Sequence, residues 1–80
     1  MEKSKVAVRV RYDSKPFFGL IRLTRCVKGK PVSYSLTLYH EVNGFLEKDK
    51  SFPTVEKAVT YAILKGFQSS LWVKEEKLAS

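Results

Sequence analysis

The residue types able to do chemistry are few in this chain and poorly grouped. His40 is the only histidine and Cys26 the only cysteine. Zinc takes about four ligands, mostly imidazole or thiolate, so a metal site here would have to recruit carboxylates at no recognisable spacing. His40 therefore reads as a packed strand histidine, and Cys26 as a small buried hydrophobe rather than a nucleophile. A Cys26–His40 dyad across neighbouring strands is the weaker alternative. Gly29-Lys30 has neither the upstream glycine nor the following Ser or Thr of a phosphate-binding loop, and reads as a basic turn. Glu75 and Glu76 are adjacent, so their side chains diverge and make no acid–base pair at a fixed separation. The expectation is a chain that is not an enzyme and needs no metal or cofactor.

What remains is charge. The net charge of +7 is carried by 15 Lys and Arg against 8 Asp and Glu. Residues 1–30 hold nine cations (Lys3, Lys5, Arg9, Arg11, Lys15, Arg22, Arg25, Lys28 and Lys30) against Glu2 and Asp13, whereas residues 31–80 hold six of each sign. The whole excess thus lies in the first three-eighths of the chain, and so do all four arginines, whose planar fork suits phosphate and base edges. A charge run kept only for solubility would need no such grouping.

The elements that must position these residues follow from periodicity. Lys5 to Tyr12 alternates strictly, with Val6, Val8, Val10 and Tyr12 on one side and Lys5, Ala7, Arg9 and Arg11 on the other, as in a half-buried strand. Asp13 to Pro16 supplies turn residues, and Phe17 to Val27 is a second strand in which Ile21 and Leu23 face inward and Arg22 and Thr24 outward. The alternation slips at Arg25 and Cys26, so a bulge is expected there. Lys28 to Pro31 reads as a turn, and Val32 to Val42 as a third strand, with Val32, Tyr34, Leu36 and Leu38 opposite Ser33, Ser35, Thr37 and Tyr39. Asn43-Gly44 predicts a type I′ hairpin turn with positive φ at both residues. A short, charged edge strand over about Phe45 to Lys50 should follow it.

Thr54 can cap a helix that has Glu56 in its first turn. Val55, Ala58, Val59, Ala62, Ile63 and Phe67 recur at helical spacing and should cover the valine and leucine face of the sheet. Gly66 either ends this helix as a left-handed cap or is carried inside it, so its end is expected between Lys65 and Leu71. The expected architecture is one α+β domain over residues 1–80: a four-stranded antiparallel meander (5–50), one helix (54–70) packed on one face, and a tail (71–80) that is either a last turn, a short strand or frayed. The longest apolar run, Phe17 to Ile21, is far short of the roughly 20 residues that cross a bilayer. No apolar signal core opens the chain, so a cytoplasmic protein is expected. Open sheet edges also make a homodimer a natural outcome, through the first or the fourth strand.

Phe18-Gly19-Leu20-Ile21-Arg22, the third strand, and Ser51 to Ala58 together resemble the sheet-plus-helix DNA-binding domains of plant ethylene-response factors and phage integrase arm-binding domains, over about residues 17–66. That resemblance implies sheet arginines reading a major groove, with Arg22 and Arg25 in the first-strand arginine positions. The third strand departs from the family in carrying neither arginine nor tryptophan. Four strands and a helix also resemble the repeat unit of purine-rich-element single-strand-binding domains. From the residues themselves, the outward face would join Lys5, Arg9, Arg11 and Arg22 to Phe18, Leu20 and Tyr39, with Arg25, Lys28 and Lys30 past the bulge; a slip of register would instead turn Phe18 into the core. Arginines mixed with rings on a sheet face stack bases and grip phosphates. The expected partner is DNA or RNA. The alternative is an adaptor or inhibitor of mobile-element type that docks on an acidic protein surface.

Overall fold

The computed structural model describes residues 5–79, with side chains described from Arg9 to Glu75. Its order is β1 (Lys5–Ser14), β2 (Phe17–Val27), β3 (Lys30–His40), β4 (Gly44–Phe52), α1 (Val55–Leu64), a 3-10 turn (Ser69–Leu71) and β5 (Trp72–Ala79). The first four strands form the expected meander. The strands lie in the order β4-β3-β2-β1-β5, every neighbouring pair antiparallel. The tail is thus a fifth strand rather than a frayed end, and it extends the sheet past β1. Both edges of β1 are consequently occupied, which removes the first strand as a route to pairing between copies; the edges are β4 and β5.

Three hairpin connections set the register. Between β1 and β2 the chain turns through Lys15 and Pro16, whose peptide bond is cis. Between β2 and β3 the loop is the two residues Lys28 and Gly29, with φ of 52° and 79°, so the primed turn falls here and not at Asn43-Gly44. The third connection runs through Glu41, Val42 and Asn43, with Gly44 at φ 84° already paired to His40. His40 Nδ1 accepts from the backbone N–H of both Val42 and Asn43 at 3.1 Å. Two amides satisfied by one imidazole make the longer loop affordable, a contribution invisible to the Asn-Gly signal.

The expected bulge is present: the β2–β3 register shifts on both sides of Arg25. Two more shifts set β4 against β3, between Leu36 and Leu38 and between Leu38 and Tyr39. In the first, Asp49 takes φ 53°, a left-handed conformation that Asp tolerates better than most residues. Its N–H donates to Thr37 Oγ1 at 3.1 Å. Bulges of this kind also spoil β4 as an edge for further pairing.

The inward face carries the core of Val10, Tyr12, Ile21, Leu36, Leu38, Ala58, Ala62 and Phe67. Helix α1 begins where expected, Thr54 Oγ1 accepting from Lys57 N at 3.1 Å. It ends at the near limit of the expected range, by the first of the two routes open to Gly66. Gly66, at φ 105°, closes it with a left-handed residue; Phe67 N donates to Ala62 O and Gly66 N to Ile63 O, each at 3.1 Å, the two bonds of a Schellman cap. Phe67 therefore reaches the core from beyond the helix, and Ile63, expected to lie in its apolar stripe, is 44% exposed.

Trp72 explains why the tail docks. Its indole lies over Gly19 and against Tyr12 and Phe67, with ring centroids 5.1 and 6.0 Å away. Gln68 N also donates to the Tyr12 hydroxyl at 3.3 Å. On the helix side of the sheet Tyr61 donates to Glu47 Oε1 at 2.6 Å, which holds the phenol above its ordinary value of 10.0. Among the described residues no helix is long and apolar enough to cross a membrane.

Candidate nucleic-acid interface

Cross-strand partners share a face of the sheet, so the register lays out the surface opposite the helix row by row. One row runs Glu75–Arg9–Arg22–Ser35–Ser51 from β5 to β4. The next runs Val73–Arg11–Leu20–Thr37. A third runs Asp13–Phe18–Tyr39–Phe45. Arg25, opposite Ser33, continues the face beyond the bulge. Arg9, Arg11, Arg22, Arg25, Phe18 and Tyr39 are thus brought together on one surface. Lys28 and Lys30 are exposed at the β2–β3 hairpin tip, at the far end of the sheet. Lys5 opens β1 opposite Ala79, and its side chain lies outside the described residues.

Arg9 lies directly opposite Arg22, a like-charge pairing that taken by itself costs stability, with Glu75 opposite Arg9 on its other side. Arg9 and Arg25 make no ion pair among the described residues. The other two arginines have weak acidic neighbours. Arg11 lies 3.6 Å from Glu75, and Arg22 lies 4.0 Å from Asp49. All four side chains are about half exposed, a setting in which an ion pair contributes little and yields readily to a competing anion. Asp49 is held by Ser35 and Thr37, whose hydroxyls donate to its Oδ1 at 3.1 and 3.4 Å. The sequence halves conceal this mixing, because Asp49 and Glu75 reach the arginine surface from the two edge strands.

At the other end of the face the rings form a line. Phe18 and Tyr39 have centroids 6.3 Å apart, and Tyr39 and Phe45 5.1 Å apart. Phe45 is 57% exposed, with the Lys48 ammonium 5.2 Å from its centroid. Phe45 is absent from the sequence-based site; its place beside Tyr39 follows only once the third loop is known to have three residues. Between rings and arginines lies a hollow of about 230 Å³, walled by Arg11, Asp13, Phe18, Leu20, Thr37 and Tyr39.

A larger hollow, about 490 Å³, opens on the helix side, between the start of α1 and residues of β1, β3 and β5. Its charged lining residues are Glu56 and Lys74. Cys26 is exposed rather than buried, because β2 runs past the core into the hairpin tip. It pairs with Pro31, at the opposite end of β3 from His40, so the two make no dyad. His40 packs edge-on against Phe17, with centroids 4.9 Å apart. Among the described residues no three His, Cys, Asp or Glu side chains gather as metal ligands. Comparison with protein-family models, curated proteins and solved structures finds no match to the chain.

Proposed function

We propose that this domain binds nucleic acid through the sheet face opposite its helix. The observation that carries the reading is the placement of Arg9 against Arg22, with Arg11 and Arg25 on the same surface and three aligned rings beside them. A cross-strand arginine pair opposes folding slightly, and an array of phosphates relieves it by supplying the counter-charge. The rings supply what arginines lack, a π surface on which bases of any sequence stack.

Fluorescence anisotropy with labelled single-stranded and duplex DNA and RNA at about 50 and 200 mM salt tests the reading. Five phosphate contacts give a log–log salt slope of roughly −4 to −5, so affinity falls by two to three decades over that range. Absence of binding to every oligonucleotide at the lower salt would refute it. Arginine and aromatic side chains are also what protein interfaces enrich, so the same face suits an acidic protein surface. A protein that ignores every oligonucleotide yet binds one acidic partner has that second function.

A further inference from the structure

The hollow between the arginines and the rings is built for a smaller object than a drug-sized ligand, whose sites run about 300–1,000 Å³. At about 230 Å³ it suits one flat ring system. Phe18, Leu20 and Tyr39 give it apolar walls, and the backbone of Tyr12 and Gly19, whose side-chain positions face the core, gives it a floor. Two charges stand at its rim, Arg11 and Asp13. Asp13 is exposed and lines the hollow, and its carboxylate makes no hydrogen bond or ion pair among the described residues.

A carboxylate beside a stacking surface selects among bases. An ionised carboxylate only accepts hydrogen bonds, and its two oxygens match two parallel N–H donors. Guanine presents two adjacent donors on its pairing edge, N1–H and the N2 amine. Adenine and cytosine each present one donor beside an acceptor, and thymine or uracil one donor between two acceptors. In a duplex that edge is already paired and the base faces are stacked, so a ring-lined hollow can take a base only from a single strand. Resting on the nucleic-acid reading above, we infer that this hollow seats one unstacked guanine of a single strand, held by Asp13 on its pairing edge and by Phe18 and Tyr39 on its face. Arg11 then serves the adjoining phosphate, exchanging its exposed contact with Glu75 for a phosphate oxygen.

The test uses the 80-residue chain and four labelled DNA nonamers, a thymine tract and the same tract with a single central guanine, adenine or cytosine. A bidentate contact discriminates about 5- to 150-fold; at this exposed site the guanine oligonucleotide should bind about tenfold more tightly than the other three. Inosine in place of guanine removes the N2 amine without touching the protein and should erase most of that preference. Asp13→Asn should also erase it while leaving the thymine tract bound as well or better, since a negative charge has been removed from a phosphate-binding face. A merely structural role for Asp13 would weaken all four alike. Equal binding of the four nonamers overturns the guanine site and leaves the nucleic-acid reading standing, as does a guanine preference that survives inosine or Asp13→Asn. Binding of none of them overturns both.

Discussion

Replacing Gly19 with alanine tests the docking of β5 directly. A methyl group built on Gly19 would stand 2.5 Å from Trp72 Cη2, with two more ring carbons at 3.1 and 3.2 Å. Non-bonded carbons are comfortable at about 3.5–4.0 Å, so the indole would have to retreat by roughly 1 Å. Buried Tyr12 and Phe67 pack against the same indole and resist that movement. Overpacking of this kind costs about 1–3 kcal/mol. Were the space above Gly19 open, alanine would instead stabilise the strand by about 0.4–1 kcal/mol through the unfolded chain, so the sign alone decides. A loss of about 2 kcal/mol lowers the Tm of a domain this size by roughly 8–16 °C. Trp72 is the only tryptophan, so its emission during thermal or urea unfolding reports on the indole itself. An unchanged or raised Tm with unaltered native emission would show that Trp72 does not lie over Gly19.

Leu36, fully buried opposite Ile21, should cost about 2–5 kcal/mol on truncation to alanine in denaturant unfolding; a loss under about 0.5 kcal/mol would mean that β3 presents its other face to the core. Changing Arg9, Arg11 and Arg22 together to serine should shallow the duplex salt slope by roughly 3, read by anisotropy over a salt series. Tyr61 holds its proton more tightly when folded than when unfolded, because Glu47 accepts its hydroxyl hydrogen. That contribution is whole below about pH 10 and is lost as pH rises through the higher folded value. In Tyr61→Phe the decline of stability above pH 10 should accordingly be shallower than in the native chain.

The meander and its faces were legible because strict alternation in β1 and β3 admits one inward set, and the structure buries Val10, Tyr12, Leu36 and Leu38 as that set. The cap at Thr54 and the bulge around Arg25 were legible for similarly local reasons. The misses share a cause, namely partners distant in sequence. Leu71-Trp72-Val73 has strand-forming residues but no alternation long enough to decide, and its fate depends on an absent side chain at Gly19. The third turn depends on an imidazole three residues upstream. Helical spacing cannot distinguish Phe67 on the helix from Phe67 just past it, since a Schellman cap returns the chain to the same side. For the candidate interface, strand parity put Arg9, Arg11, Arg22 and Tyr39 on one face, while Phe18 could take either face until its pairing with Asp13 and Tyr39 fixed the register. Asp49, Glu75 and Phe45 joined them only through register shifts and strand order, which no local pattern encodes.

The pairing of β1 with β5 joins residues as far apart as Lys5 and Ala79, whereas the other three ladders are hairpins closed by two or three residues. Loop closure costs only about 0.6 kcal/mol per doubling of length, so this long-range ladder weighs on the rate of folding more than on final stability. Pulsed hydrogen exchange should find the β1–β5 amides protected last, and simultaneous protection of all four ladders would contradict that order. Until β5 has paired, the outer edge of β1 is an unpaired template on the meander. The same arginines that face the proposed ligand then serve a second purpose: charges alternating along an open strand discourage other chains from pairing with it before β5 arrives.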